Sequence, residues 1–299
     1  MGGIVNKIYI SALSRGGSNV IAALLHNHEE LYTVARRDWS QFRNKGSINI
    51  PKLSEHLSKT KKSIYYRGGF QKDLSKVKYF VFDKYLEKDF DFKCPEKDLV
   101  LTVVRNPFAI VNSMDNFGKK YDFKAWRQNK KTINKIIGFR FVEMIKNCRG
   151  RNKITIQFED LIKDYNKVLA DVHTGIGVPY IPHTSFEEVF ANNGCIYCGG
   201  KFKVEETDCS DASTVLVERN LKFAPRLHFC CENDNAFTLG YGGFNPCQEI
   251  SEPKGWRDSM TESNYECVYS HISDKLGEDI AKKFSDNNVT LNDILNIEV

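Results

Sequence analysis

With 299 residues, 41% of them hydrophobic and 27% charged, the chain holds enough apolar material for one large α/β domain or one domain with an elaboration, and its composition is neither disordered nor fibrous. A net charge of +5 over that length, with no run of five like charges, suits an anionic ligand in a local site better than a nucleic-acid stripe. No apolar stretch approaches the ~20 residues of a membrane span, no signal-like apolar region opens the chain, and Asn6 stands where a myristoylation motif at Gly2 requires Ser or Thr, so a cytoplasmic protein is expected, its nine cysteines free thiols or metal ligands.

The first structured stretch is 7–28. Ile8, Ile10, Ala12 and Leu13 make a short β-leaning run, Ser14-Arg15-Gly16-Gly17-Ser18-Asn19 interrupts it, and Val20 to Leu25 reads as a buried helix. Strand, glycine turn and helix make an anion cradle, because glycine admits close backbone approach and the first-turn N–H groups have no partner within the helix. Arg15, Ser18 and Asn19 add side-chain donors. Gly17 precedes Ser18 where a Walker loop has lysine, which disfavours an ordinary nucleoside-triphosphate site. His26 and His28 lie within or at the end of the first helix. Leu31 to Val34 is a second strand, followed by Arg36-Arg37-Asp38-Trp39. Residues 43–62 form a polar, lysine-rich excursion in which Pro51 marks a turn before a helix and His56 is solvated.

Val77 to Asp83 is a strand by its β-branched and aromatic content and delivers Asp83 and Lys84 to its carboxyl end, where ligands bind in parallel sheets. Leu99 to Val104 is a continuous apolar run, the mark of a parallel strand covered on both faces. Arg105 ends it, Asn106 is an N-cap, and Pro107 suits the first helical position. Ser113, eight residues after Arg105, then lies about two turns into that helix. From Trp126 to about Cys148 an amphipathic helix carries Ile133, Ile136, Ile137, Phe141, Met144 and Ile145. Lys153 to Phe158 is the next strand. Glu159-Asp160-Leu161 opens a helix that ends near Gly175 and Gly177, with both acids read as helix-dipole and packing residues.

Residues 181–245 differ in character. Cys195-Ile196-Tyr197-Cys198 followed by two glycines resembles one knuckle of a zinc ribbon, and tetrahedral zinc needs further ligands from Cys209, Cys230, Cys231, His228 or Cys247. A structural zinc on Cys195, Cys198, Cys230 and Cys231 stands against reduced thiols in a substrate-covering region. The expected division is therefore an α/β domain from 1–180 and 246–299 with a cysteine-rich insertion at 181–245. Near the C-terminus Thr261 caps a final helix filled by Tyr265 to Phe284.

Three of these segments, in this order, resemble the sulfotransferases that use 3'-phosphoadenosine 5'-phosphosulfate (PAPS). Ser14 to Asn19 stands where that family has its phosphosulfate loop, P-[RK]-S-G-T-T before an apolar helix: Ser14 for the proline, Arg15 for the basic residue, Gly16 for the serine, Gly17 for the glycine, Ser18 and Asn19 for the threonines. Arg105-Asn106-Pro107 with Ser113 matches the strand-ending R-[ND]-P element whose arginine and serine bind the 3'-phosphate. A dianionic phosphate suits a forked, permanent cation beside a small hydroxyl. Lys254, Gly255, Trp256 and Arg257 match the late G-x-W-[KR] segment that closes over the same phosphate, Phe158 replaces the tyrosine of a Y-E-D-L segment, and Gly177-Val178-Pro179 matches its closing turn.

The resemblance covers about 4–180 and 250–285 and leaves out the insertion. It implies a P-loop-like sulfotransferase fold, a central mainly parallel sheet flanked by helices. The implied reaction moves a sulfuryl group to a hydroxyl or amine of a small-molecule or carbohydrate acceptor and leaves adenosine 3',5'-bisphosphate. Arg15 and Lys84 are the residues it implies for neutralising the leaving phosphate, although Tyr85 and Leu86 break the D-K-[ST]-P pattern of bacterial relatives. Leu86 also stands where one branch has its basic histidine, and Arg36 and Arg37 where others have glutamate, so Asp38 is the nearest candidate base. Two other classes remain: a P-loop-like phosphotransferase, and a zinc- or partner-binding module on a decayed fold.

Overall fold

The computed structural model of the chain describes residues 6–26, 28–34, 39–44, 47–59, 74–82, 98–120, 124–150, 152–182, 226–229, 236–239 and 255–297. Five short apolar strands, β1 (Asn6–Ser11), β2 (Leu31–Val34), β5 (Tyr79–Phe82), β6 (Leu99–Val104) and β7 (Lys153–Gln157), form one parallel sheet in the order β2-β5-β1-β6-β7. Two further pairs, β3 (Arg43–Asn44) with β4 (Ser47–Ile48) and β8 (Arg226–Phe229) with β9 (Ala236–Leu239), are small antiparallel ladders. The chain leaves β1 through α1 (Ser18–His26) for the far edge at β2, returns through β5, and then adds β6 on the other side of β1. Strand order therefore reverses between β1 and β6, the place where open parallel sheets bind ligands beyond the strands' carboxyl ends.

Alternation along the strands assigns the two faces. Ile8, Ile10, Val81, Leu101, Val103 and Ile156 pack against α1 and α6 (Tyr165–Ile176) on one side. The other side is split. Tyr9, Phe80 and Phe82 meet Trp39 and Leu53, the latter from α2 (Ile50–Lys59). Val104 and Leu13 meet α3 (Pro107–Lys120), the helical run 130–146 that we label α4, α7 (Glu262–Leu276) and α8 (Glu278–Asp286). Both faces are covered, as the uninterrupted apolar character of β6 requires.

The expected strands at 31–34 and 99–104 are present, and the one expected at 77–83 spans Tyr79–Phe82. Several helix boundaries differ from expectation. The helix expected from Trp126 starts at Lys130, because Asn129 and Thr132 form a reciprocal capping box; Trp126 lies in a preceding 3₁₀ turn. The helix expected from Glu159 to Gly177 is two, α5 (Phe158–Lys163) and α6, because Asp164 leaves helical geometry and its side chain accepts the Lys167 N–H. Gly177, at φ +83°, then ends α6 in the left-handed conformation glycine tolerates. The final helix, capped by Thr261 as expected, breaks at Gly277 and continues as α8 and a short α9 (Leu291–Leu295).

Histidines at the amino edge of the sheet are structural. His26 Nδ1 accepts the Thr33 N–H, while His28 Nδ1 accepts the Glu30 N–H and its Nε2 donates to the Pro179 carbonyl at 2.8 Å. His56, expected in solvent, is half-buried with its ring 5.1 Å from that of Phe42.

Candidate functional site

The loop after β1 and the loop after β6 meet at the switch point. Gly16 N–H donates to the Leu13 carbonyl at 2.8 Å, and the Gly17 carbonyl accepts the Val20 and Ile21 N–H groups, which starts α1. The chain turns sharply between them: Arg15 has φ +64° and Gly17 φ +98°. The turn aims the Arg15 side chain across to α3, where its Nε donates to Ser113 Oγ at 2.9 Å. Arg105, at the carboxyl end of β6, supports the turn from beneath by donating from Nη1 to the Arg15 carbonyl at 2.7 Å. Residues from three separate elements thus form one connected unit beside the N-terminus of α1, whose first-turn N–H groups favour anions.

The ring of Phe158 lies under this unit. The Arg105 guanidinium carbon stands 4.7 Å from its centroid, a cation–π contact. The same ring occupies the space a Cβ on Gly17 would need. Beside it Glu159 Oε1 accepts the Asn106 N–H at 2.9 Å. Asn106 Oδ1 caps α3 through the Phe108 N–H, and its amide donates to Phe284 O and Asn287 Oδ1, tying the C-terminal helices to β6. Gln157 does the same for β7 by donating to Val289 O.

Among the described residues, the Glu159 carboxyl opposes the charge effects of burial and of Arg15 on Arg105. Burial pulls the Arg105 guanidinium down to about 10, an effect that Glu159 opposes and the neighbouring Arg15 reinforces. Burial likewise pushes the Glu159 carboxyl up, against the Asn106 N–H and the Arg105 charge. Arg105 Nε and Glu159 Oε2 are buried and lack a hydrogen-bond partner among the described residues. Unpaired buried groups of this kind cost about 1–3 kcal/mol each.

Ser113, which the resemblance assigns with Arg105 to one phosphate, is hydrogen-bonded to Arg15, and Arg105 is bonded to the Arg15 carbonyl. Glu159, read from sequence as a dipole and packing residue, acts electrostatically on Arg105 in this unit. The signal that would have found it is its place directly after the strand next to β6. Gly16, Gly17 and Ser18 lie in the turn and the start of α1, with Ser18 buried. Asn19 is in the first turn of α1. Trp256 is buried, stacked 4.9 Å from Phe108 at the start of α3 and 6.4 Å from Tyr265. The Arg257 guanidinium covers the Trp256 ring at 5.3 Å and donates to the Ser285 carbonyl, while Ser259 is bonded to Asn112 and Asn116 of α3. Gly255 is exposed beside them. Asp38, Lys84 and Lys254 lie outside the described residues, as do Cys195, Cys198, Cys230 and Cys231. Among the described residues no group of His, Cys, Asp or Glu is arranged to hold a metal ion, and no helix is long and apolar enough to cross a membrane.

No protein-family model and no curated protein matches the sequence. Among solved structures, the chain is similar to mouse sulfotransferase SULT7A1 complexed with PAP, at 11% identity and TM-score 0.47 over 94% of this chain and 88% of that one. It is similar to the sulfotransferase domain from the curacin biosynthetic pathway at 13% identity and TM-score 0.36, over 66% and 80% of the two chains. The sulfotransferase domain of the Synechococcus PCC 7002 olefin synthase is similar at 14% identity and TM-score 0.47, over 90% of this chain and 94% of its own.

Proposed function

We infer that this chain is a sulfotransferase that takes its sulfuryl group from PAPS and passes it to a hydroxyl or amine of a small-molecule or carbohydrate acceptor. The observation that carries the reading is the convergence of two guanidinium groups, Arg15 and Arg105, with the Ser113 hydroxyl and the N-terminus of α1 at the β1/β6 switch point. Forked guanidinium donors beside a small hydroxyl suit the oxygens of a phosphate anion. The donor fits this chemistry: Arg15, Gly16, Gly17, Ser18 and Asn19 would hold its 5'-phosphosulfate, and Arg105, Ser113 and the 254–257 segment its 3'-phosphate. Bound there, PAPS supplies an activated sulfuryl group on a phosphate leaving group.

The work assigned to the protein's own residues is positioning and charge neutralisation. Arg105 holds the backbone of the turn, so that Arg15 meets an incoming anion without reorganising. Phe158 excludes water from beneath the turn. Arg15 with Lys84 would oppose the charge that gathers on the leaving phosphate, and Asp38 would take the acceptor's proton. β2 and β5, which precede these two residues, both end at the edge where β1 and β6 end.

Calorimetric titration tests the reading. Adenosine 3',5'-bisphosphate is expected to bind far more tightly than AMP or ATP, since only it presents a 3'-phosphate. Failure of the bisphosphate to bind, or a preference for ATP, would overturn it, the latter in favour of a phosphotransferase. Asp38→Asn is expected to abolish sulfuryl transfer from PAPS while leaving bisphosphate affinity within about twofold, since a proton acceptor acts on the chemical step rather than on nucleotide binding. Near-normal turnover in that variant would remove Asp38 from the reaction.

A further inference from the structure

The small net charge conceals a strong local asymmetry. Residues 119–153 contain twelve Lys and Arg against two acids, Asp122 and Glu143, a surplus of ten; the remaining chain, with 31 basic and 36 acidic residues, is net negative by five. This basic stretch is centred on α4, which buries Ile133, Ile137, Phe141 and Ile145 against the core. Its outer side carries Lys130, Lys131, Lys135, Phe139, Glu143 and Lys146, with Arg149 just beyond its end, all exposed, so that the basic residues outnumber the one acid.

A local departure from α-helical geometry holds that row straight. Side chains four apart advance about 40° around an α-helix of 3.6 residues per turn, so a four-residue repeat winds off its face. Between Asn134 and Phe141 the helix is π-helical, and its i→i+5 turns hold more than four residues each, which winds the repeat back. The buried row 133/137/141/145 and the exposed row 131/135/139/143 therefore each remain on one side. Phe139 is 60% exposed at the middle of the outer row, and Ile181 is the other exposed large hydrophobic among the described residues. No ion pair engages Lys130, Lys131, Lys135 or Lys146 among the described residues.

We propose that the outer face of α4 is a docking surface for an anionic lipid bilayer, on which the lysines meet headgroup phosphates and carboxylates while Phe139 enters the interface. Charge complementarity and the protruding aromatic select this occupant together. A duplex nucleic acid satisfies the lysines through its backbone but keeps its bases stacked within the helix, away from a phenyl ring on an outer surface, whereas the headgroup layer of a membrane supplies both anions and an apolar compartment. A straight row on a helix about 25 Å long suits a planar surface. None of these lysines, nor Phe139, is among the residues assigned to the nucleotide.

The test is co-sedimentation of the full chain with phosphatidylcholine vesicles that contain phosphatidylserine at roughly one lipid in three, against phosphatidylcholine alone. Binding is expected to the first only, and to be lost at about 1 M salt, where the screening length falls to about 3 Å. Each lysine is expected to account for about fivefold in partitioning, equivalent to ~1 kcal/mol, so Lys130→Gln/Lys131→Gln/Lys135→Gln/Lys146→Gln should reduce it more than about 100-fold. Phe139→Ser should weaken it about tenfold by removing the inserted ring. Both variants alter exposed positions and are expected to keep the native circular dichroism and thermal midpoint. Absence of binding to the anionic vesicles, or its full retention in either variant, would overturn the proposal. Binding of duplex DNA or heparin through the same lysines without vesicle binding would overturn it in favour of a polymeric anion.

Discussion

Gly17→Ala is expected to cost about 2–5 kcal/mol of folding free energy, combining the penalty of a side chain at positive φ with that of overpacking. Gly17 has φ +98°, and an added methyl would overlap the ring of Phe158, a ring held in place by the core beneath α1 and by the Arg105 guanidinium above it. Neither partner can yield cheaply. The ring is the floor of the turn, and displacing it also removes the surface on which Arg105 rests. Denaturant unfolding of Gly17→Ala and of Gly17→Ala/Phe158→Leu separates the two causes. The double variant relieves the overlap but not the backbone strain, and should recover roughly half the loss. Full stability in the single variant would mean that the turn has another resting conformation, and the convergence of Arg15 on Ser113 would lose its structural basis.

The second large effect concerns the buried charges. Arg105→Met is expected to destabilise by about 2–4 kcal/mol, because it removes the charge that offsets the burial of Glu159 and the donor to the Arg15 carbonyl. Arg105→Met/Glu159→Gln should recover most of that stability, since a neutral amide still accepts the Asn106 N–H. It should not recover adenosine 3',5'-bisphosphate binding. Normal bisphosphate affinity in the double variant would take Arg105 out of the nucleotide site. The same carboxyl sets a pH signature. Its native pKa is raised above the unfolded value, so between those two values the native state keeps a proton that the unfolded chain has released. Stability on this account is greatest below the ordinary carboxylate range and declines as pH rises through the raised native value, and Glu159→Gln removes that slope.

How much of this was legible beforehand depends on the range of the interactions involved. The strands at 31–34 and 99–104, the Asn106-Pro107 helix start and the Thr261 cap were readable because each is decided by residues within one or two turns of one another. Helix lengths were overestimated where the deciding residue was a single polar or glycine position, Asp164 and Gly277, inside an otherwise periodic run. Arg15, Arg105 and Ser113 were singled out from local motifs, but their partnerships were not, because motif spacing records positions along the chain and carries no information on which guanidinium faces which hydroxyl across two loops.

By itself the sequence determined an α/β chain with a glycine turn before a buried helix, an arginine at the end of a covered parallel strand, and a basic stretch around an amphipathic helix. Periodicity, caps and charge are properties of short segments and need no partner to be read. Only the tertiary structure decided that β6 lies beside β1, that Ser113 receives Arg15 while Arg105 stands behind the turn, that Glu159 acts on the Arg105 charge, and that a π-helical stretch keeps Lys131, Lys135 and Phe139 in line. Each of these joins residues far apart in the chain, or balances helix geometry against the packing of a four-residue repeat. Such a balance is set by the free energy of the assembled core, to which no single segment holds the answer.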